Sequence, residues 1–231
     1  MFFDFKFWKY LTNPQQLAGE LQRSSMRGFK KRILFVFLIG ILLFAMRDFW
    51  GMGTESMTHL LTTKTTADYI IARYISIVGA GIWAIIYMSF HIFGIAYILS
   101  TVTVIPYKKI IPLQLLTTGI LLIEKALVFG VFAIKGATAN VSFLSLGPLA
   151  VTFLDYSYIT VFLNQLTLTT AVIIALQFKF IRSYTGIRGW KGIFGTLLII
   201  HISMALITAA IGFIPIEDLF RVVLEGGVGH E

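Results

Sequence analysis

The sequence predicts an all-α integral membrane protein with five transmembrane helices behind an amphipathic, interfacial N-terminal segment. Three observations carry that prediction. Of 231 residues 57% are hydrophobic and 13% charged, against roughly 45–50% and 25% in an average soluble domain. Half the usual charge leaves too little polar surface to cover a soluble globule. The apolar residues gather into long runs, and 21 Phe, 9 Tyr and 4 Trp suit lipid-facing surfaces and the aromatic belts at the membrane interfaces. The basic residues behind a formal charge of +8 cluster beside those runs, as in loops that set topology. They form no aromatic-interleaved surface, so nucleic acid is not an expected partner.

Residues 1–32 form the cytoplasmic N-terminal segment. Phe2, Phe3, Phe5, Phe7, Trp8 and Tyr10 crowd its start among Asp4, Lys6 and Lys9, a mixture that suits headgroup depth. Asn13-Pro14 marks a helix start, with Asn13 as N-cap and Pro14 as first helical residue. A short helix over about 14–27 then leads to Lys30, Lys31 and Arg32.

The membrane domain, 33–215, holds the five spans. The first, 33–50, has no small-residue cleavage site after it and reads as a retained anchor rather than a signal peptide. A polar stretch follows, and the second span covers 74–103, longer than a ~30 Å core requires, so it should tilt or project. Pro106 ends it, and Tyr107, Lys108 and Lys109 form a turn into the third span, 110–134. The run 141–154 is short and holds Gly147-Pro148; a run of that length suits a re-entrant or interfacial segment rather than a crossing. The fourth span, 159–178, is followed by a basic loop with Lys179, Arg182, Arg188 and Lys191. The fifth, 193–214, closes at Pro215, leaving a short extracytoplasmic tail, 216–231. None of the five spans is expected to be broken by a proline.

Charge sets the orientation. With the N-terminus inside, the cytoplasmic side carries Lys6, Lys9, Arg23, Arg27, Lys30, Lys31, Arg32, Lys108, Lys109, Lys179, Arg182, Arg188 and Lys191. The outer side carries only Arg47, Lys64, Arg73, Lys135 and Arg221. That bias predicts an N-in/C-out protein of the cell membrane. A sixth crossing at 141–154 would move Lys179 and Arg182 outside and erase it.

Within the spans the polar inventory is short: Glu124 and Lys125 in the third, His91 in the second, Asn164 and Gln165 in the fourth, His201 in the fifth. Ionisable groups at such depth cost ~2.5–3.5 kcal/mol on insertion scales, so each raises a functional question. Glu124 lies ~15 Å from the outer end of its helix and Asn164 ~10 Å from the outer end of its own, so the two can meet. Glu124 and Lys125 are adjacent and point ~100° apart. One reading makes these groups an ion or proton relay; the other makes them structural partners of neighbouring helices, with Lys125 snorkelling.

Other chemistry finds no support. Zero Cys leaves no thiolate ligand or nucleophile, and His91 and His201 have no second His within one turn to build a zinc site. Gly186, Gly189, Gly192 and Gly195 recur every third residue, but the phosphate-loop order is absent; the glycines suit a basic turn between close-packed helices. No nucleophile–base pair assembles, so neither an enzyme nor a cofactor is expected.

Phe7, Trp8, Leu11, Asn13 and Pro14 spell F-W-x-x-L-x-N-P. Followed by an amphipathic helix and five spans, this opening resembles bacterial members of the YIP family, named for Ypt/Rab-interacting membrane proteins. The resemblance covers the layout of the chain and, in residues, the N-terminal motif. It implies a non-enzymatic accessory or scaffold subunit of a membrane export complex, such as an ABC-type exporter protecting against a peptide toxin. The partners it implies are an ABC permease, its ATPase and a membrane-fusion adaptor. It carries over no catalytic residues. Trp8, Lys30, Lys31, Arg32, Arg182, Arg188 and Lys191 are then the candidate contacts with partners or the bilayer surface. The alternative is a small ion- or proton-coupled transporter, or a homo-oligomeric channel, using Glu124, Lys125, His91 and His201. An organiser of anionic lipid surfaces, working through the same aromatic and basic residues, is compatible with the accessory role.

Overall fold

The computed structural model describes residues 4–24, 29–52, 65–138, 141–154, 157–187 and 189–212. Among these the chain is all-α. The N-terminal segment forms α1 (Phe7–Thr12) and α2 (Pro14–Arg23). Asn13 caps α2, its side-chain oxygen accepting from the Gln16 amide at 3.2 Å, and Pro14 opens the helix, where its missing N–H is no loss. α2 ends at Arg23, and residues 25–27 of the expected helix lie outside the described set.

The segment is tied to the bundle rather than laid loose beneath it. Tyr10, Leu17, Ala18 and Leu21 are fully buried, in one cluster with Ile95, Leu99, Ile110, Leu113 and Phe180. The i, i+3/i+4 spacing that makes α2 amphipathic therefore faces protein. Lys109 donates through Nζ to the Leu21 and Ser24 carbonyls, at 2.5 and 2.7 Å, satisfying the end of α2. Trp8 points the other way and is 71% exposed.

Among the described residues, four helices are long and apolar enough to cross a membrane: Lys30–Trp50, Tyr69–Val102, Tyr107–Ile134 and Lys191–Ile211. They belong to α3 (Lys30–Trp50), α4 (Thr66–Ser89) with its continuation α5 (Ile95–Val102), α6 (Tyr107–Ile134) and α10 (Trp190–Gly212). Leu34, Phe35, Leu38 and Leu42 on α3 and Ile71, Ile75, Val78 and Ile82 on α4 point outward, an arrangement stable in lipid and not in water. On the inner faces, Leu43 and Phe44 of α3 meet Ala84 and Met88 of α4 and Leu122 of α6.

Several expectations are corrected. Between α4 and α5 the helix runs through a π-helical turn, Phe90–Gly94. α4 also starts at Thr66, inside the stretch taken as a polar loop. Pro112 lies inside α6, so one span does contain a proline; it sits about a turn from the start and removes a single ladder bond. Gly147-Pro148 starts a helix instead of breaking one, with Pro148 in the first turn of α7 (Gly147–Phe153). Lys179 and Arg182 are helical rather than in a loop, because the fourth run continues to Thr185.

The largest departure is in that fourth run. Instead of one helix it forms α8 (Ser157–Gln165) and α9 (Leu168–Thr185), with Leu166 and Thr167 between them. Thr167 is extended, at φ −105° and ψ 165°, and caps α9 by accepting from the Thr170 amide at 3.2 Å. Its amide in turn reaches the Thr170 hydroxyl, closing a capping box. Threonine hydroxyls at 167 and 170 offer the backbone a competing set of partners, and here they stop one helix and start the next. The break is pinned from outside by two antiparallel bonds, Leu146 amide to Leu166 carbonyl at 3.1 Å and Leu168 amide to Leu144 carbonyl at 3.0 Å. α7 and α8 pack against each other as a short helical hairpin closed at this pin. The expected end of the fifth span beyond 212, Pro215 and the tail 216–231 lie outside the described residues.

Candidate functional site

The candidate polar residues converge on α6. Buried polar positions recur along one side of this helix: Gln114, Thr117, Thr118 and Glu124 are each at most 9% exposed. Lys125 follows, and its side chain diverges from that of Glu124 by the ~100° step of the helix.

Glu124 faces the break in the fourth run. Its Oε2 accepts from the Thr167 hydroxyl at 3.1 Å, so the carboxylate stands at the N-cap of α9. There the first-turn amides and the helix dipole favour negative charge. Asn164, the partner expected for Glu124, is engaged elsewhere: its side-chain oxygen accepts from the Ser142 amide at 2.9 Å and the Ser145 hydroxyl at 2.8 Å. It stitches the entry of the α7–α8 hairpin to its exit. Gln165 contributes its backbone carbonyl, which accepts from the Thr170 hydroxyl at 3.2 Å.

Lys125 turns to α3 and α4. Its Nζ sits 5.0 Å from the Tyr87 ring centre and 5.6 Å from that of Phe44, a cation held between two aromatic faces. The Tyr87 ring lies 4.3 Å from that of His91, tilted by 50°, and His91 lies in the π-helical turn. Such turns re-aim a side chain by inserting one residue into the helical ladder. His201, on α10, meets the Gln177 carbonyl oxygen of α9 through Nε2 at 2.9 Å. Glu124 thus joins α6 to the cap of α9, Lys125 and His91 meet through Tyr87 on the side of α3 and α4, and His201 joins α10 to α9.

Among the described residues, three side-chain atoms of α6 and α9, Gln114 Nε2, Thr118 Oγ1 and Gln177 Nε2, are buried with no protein partner. Buried polar atoms of this kind are ordinarily met by ordered water. Among the described residues no group of three His, Cys, Asp or Glu is placed to hold a metal.

A second charged cluster ties α3 to α4. Asp48 is 8% exposed and accepts from the Ser76 hydroxyl at 2.7 Å, while Arg73 donates to the Asp48 and Phe49 carbonyls at 2.7 and 2.9 Å. Arg73 thereby satisfies the C-terminal carbonyls of α3. Arg73 lies just before the expected start of the second span and is helical here.

The expected surface contacts fall at the other end of the bundle. Lys30 and Lys31 are exposed, and Arg32 pairs with Asp4. Arg182 is exposed on α9 and Lys191 on α10, whereas Arg188 lies outside the described residues. Reading the sequence missed Thr167, Gln177, Gln114, Thr118 and Tyr87. The signal for Thr167 was present as a threonine cluster in an otherwise apolar run, and Gln177 stood in plain view within that run.

Comparison with family models, curated proteins and solved structures found no match.

Proposed function

We propose that this chain is a small multi-pass membrane transporter or channel for a proton or small ion, working through Glu124, Lys125, His91 and His201. One observation carries the reading. The carboxylate of Glu124 is bonded to the cap of a half-helix, at the point where an otherwise membrane-length run is interrupted. Discontinuous helices whose ends face a buried charge are how many secondary transporters build ion sites. Buried polar atoms of α6 and α9 without protein partners among the described residues fit a path that water enters.

The chemistry follows from the hydrogen bond. While Glu124 is ionised it accepts the Thr167 hydroxyl and lies in the favourable field of the α9 N-terminus. Taking up a proton or a cation removes the charge that this cap stabilises. Occupancy of Glu124 is thereby coupled to the α8–α9 junction, the irregular element of the span. Lys125, held at the Phe44 and Tyr87 rings, supplies a charge opposite to that of the ionised carboxylate at the neighbouring position of α6.

In this reading α8 and α9 together make the fourth of five crossings, 141–154 enters from outside as part of a re-entrant hairpin, and the protein is N-in/C-out in the cell membrane. No catalysis is assigned. The test is reconstitution of the purified chain in liposomes, with flux followed by a pH-sensitive dye under an imposed potential. Proteoliposomes should pass protons or a monovalent cation faster than empty ones. An accessory subunit would instead give no flux alone and co-purify in fixed ratio with an ABC permease and its ATPase.

A further inference from the structure

A groove of about 880 Å³ opens along the outside of α9, between α2 and α10. Its upper part is apolar. Ala171 and Ala175 leave a furrow on α9, walled on the far side by Phe194 and Leu198 of α10. Lys179 and Arg182 stand at its lower end. These four α9 positions recur at helical spacing, so they form one stripe that changes from small and apolar to cationic. From Ala171 to Arg182 the helix rises ~16 Å at 1.5 Å per residue, enough to hold the upper half of one acyl chain beneath a headgroup.

We propose that this groove is a binding site for an anionic phospholipid of the cytoplasmic leaflet. Its phosphate lies between Lys179 and Arg182, and one acyl chain lies in the furrow over Ala171 and Ala175. Charge complementarity argues for that occupant. Among the described residues Lys179 and Arg182 have no carboxylate partner; the ion pairs there are Lys9–Glu20 and Arg32–Asp4. Basic pockets between helices at the cytoplasmic surface are the usual form of such sites, and both cations fall on the side that the charge bias places inside. The apolar furrow selects a lipid over a free phosphate, because a soluble anion leaves it uncovered. α2 closes one side of the groove through Gln15, so a bound lipid also bridges the N-terminal segment to α9.

The experiment is native mass spectrometry of the full chain in mild detergent, titrated with phosphatidylglycerol or with phosphatidylcholine of the same chains. The expected result is one tightly held phosphatidylglycerol and weak phosphatidylcholine binding. The pair Lys179→Gln/Arg182→Gln should weaken phosphatidylglycerol roughly thirtyfold, the effect of losing two cations at a membrane surface. Ala175→Phe, which fills the furrow and keeps both charges, should also weaken it. Lys30→Gln/Lys31→Gln removes as much charge outside the groove and should leave it unchanged. Equal binding of the two lipids overturns the proposal. So does retention of binding in Ala175→Phe, or displacement of the lipid by inorganic phosphate at equal concentration. The melting temperature of each variant in lipid-free detergent separates loss of the site from loss of the fold. None of these readouts depends on ion flux.

Discussion

Replacing Thr167 by valine removes one hydroxyl and almost no volume. That hydroxyl accepts from the Thr170 amide at 3.2 Å and donates to Glu124 at 3.1 Å. The cap is worth ~1 kcal/mol, and a hydrogen bond to a charged acceptor ~1.5–3 kcal/mol. One group serves both roles, so the two do not simply add, and the expected loss is about 2–4 kcal/mol. For a chain of this size that lowers the melting temperature by about 5–15 °C, read from tryptophan fluorescence in detergent. The share that belongs to Glu124 comes from a double-mutant cycle with Glu124→Gln, where a coupling of about 0.5–3 kcal/mol is expected for residues in contact. A loss below ~0.5 kcal/mol, the size of an ordinary surface change, or a cycle that closes with no coupling, would refute the reasoning that the half-helix cap and the buried carboxylate are one unit.

Other predictions test the supports of the site. A Cβ at Gly119 meets the Phe7 ring at 2.6 Å, so Gly119→Leu should push α1 off α6, at the ~1–3 kcal/mol typical of overpacking, and expose the N-terminal segment to limited proteolysis. Gly186 ends α9 at φ +67°, whereas a Cβ on helical Gly195 meets nothing within 4 Å. Gly186→Ala should therefore destabilise by ~1–2 kcal/mol while Gly195→Ala stabilises by about 0.5–1 kcal/mol, both read from thermal melts. Burial raises the Glu20 carboxyl, but the hydroxyl of Tyr10 and the ammonium of Lys9 outweigh it and hold the group below its usual 4.5. A depressed carboxylate stabilises the fold above its unfolded value and loses that contribution as pH falls below it. Docking of α1 and α2 should loosen below about pH 4.5, with a smaller change in Tyr10→Phe, as followed by Trp8 fluorescence.

Much of the architecture was legible because membrane helices announce themselves by composition. The ends of α3 and α6 fall within three residues of the apolar runs that predict them, and Asn13-Pro14 marked the start of α2 through local capping chemistry alone. The fourth run was not legible as two helices. Hydropathy averages across Leu166-Thr167, and nothing local says that Leu144 and Leu146 will arrive from twenty residues away to pin the break. The same blindness applies to the site. The polar inventory identified Glu124, Lys125, His91 and His201, yet depth alone paired Glu124 with Asn164 when its partner stands three residues later, beyond the helix end. The π-helical turn that aims His91 leaves no mark in a periodic pattern, because it inserts a single residue into a continuous helix.

The central claim is that Glu124 carries the transported charge, and proteoliposome flux tests it most directly when wild type, Glu124→Gln and Glu124→Asp are reconstituted at equal density. The account predicts that Gln abolishes flux while the protein still folds and inserts, and that Asp, a shorter carboxylate, retains part of it. Equal flux from wild type and Gln, or no flux from wild type at all, would contradict it.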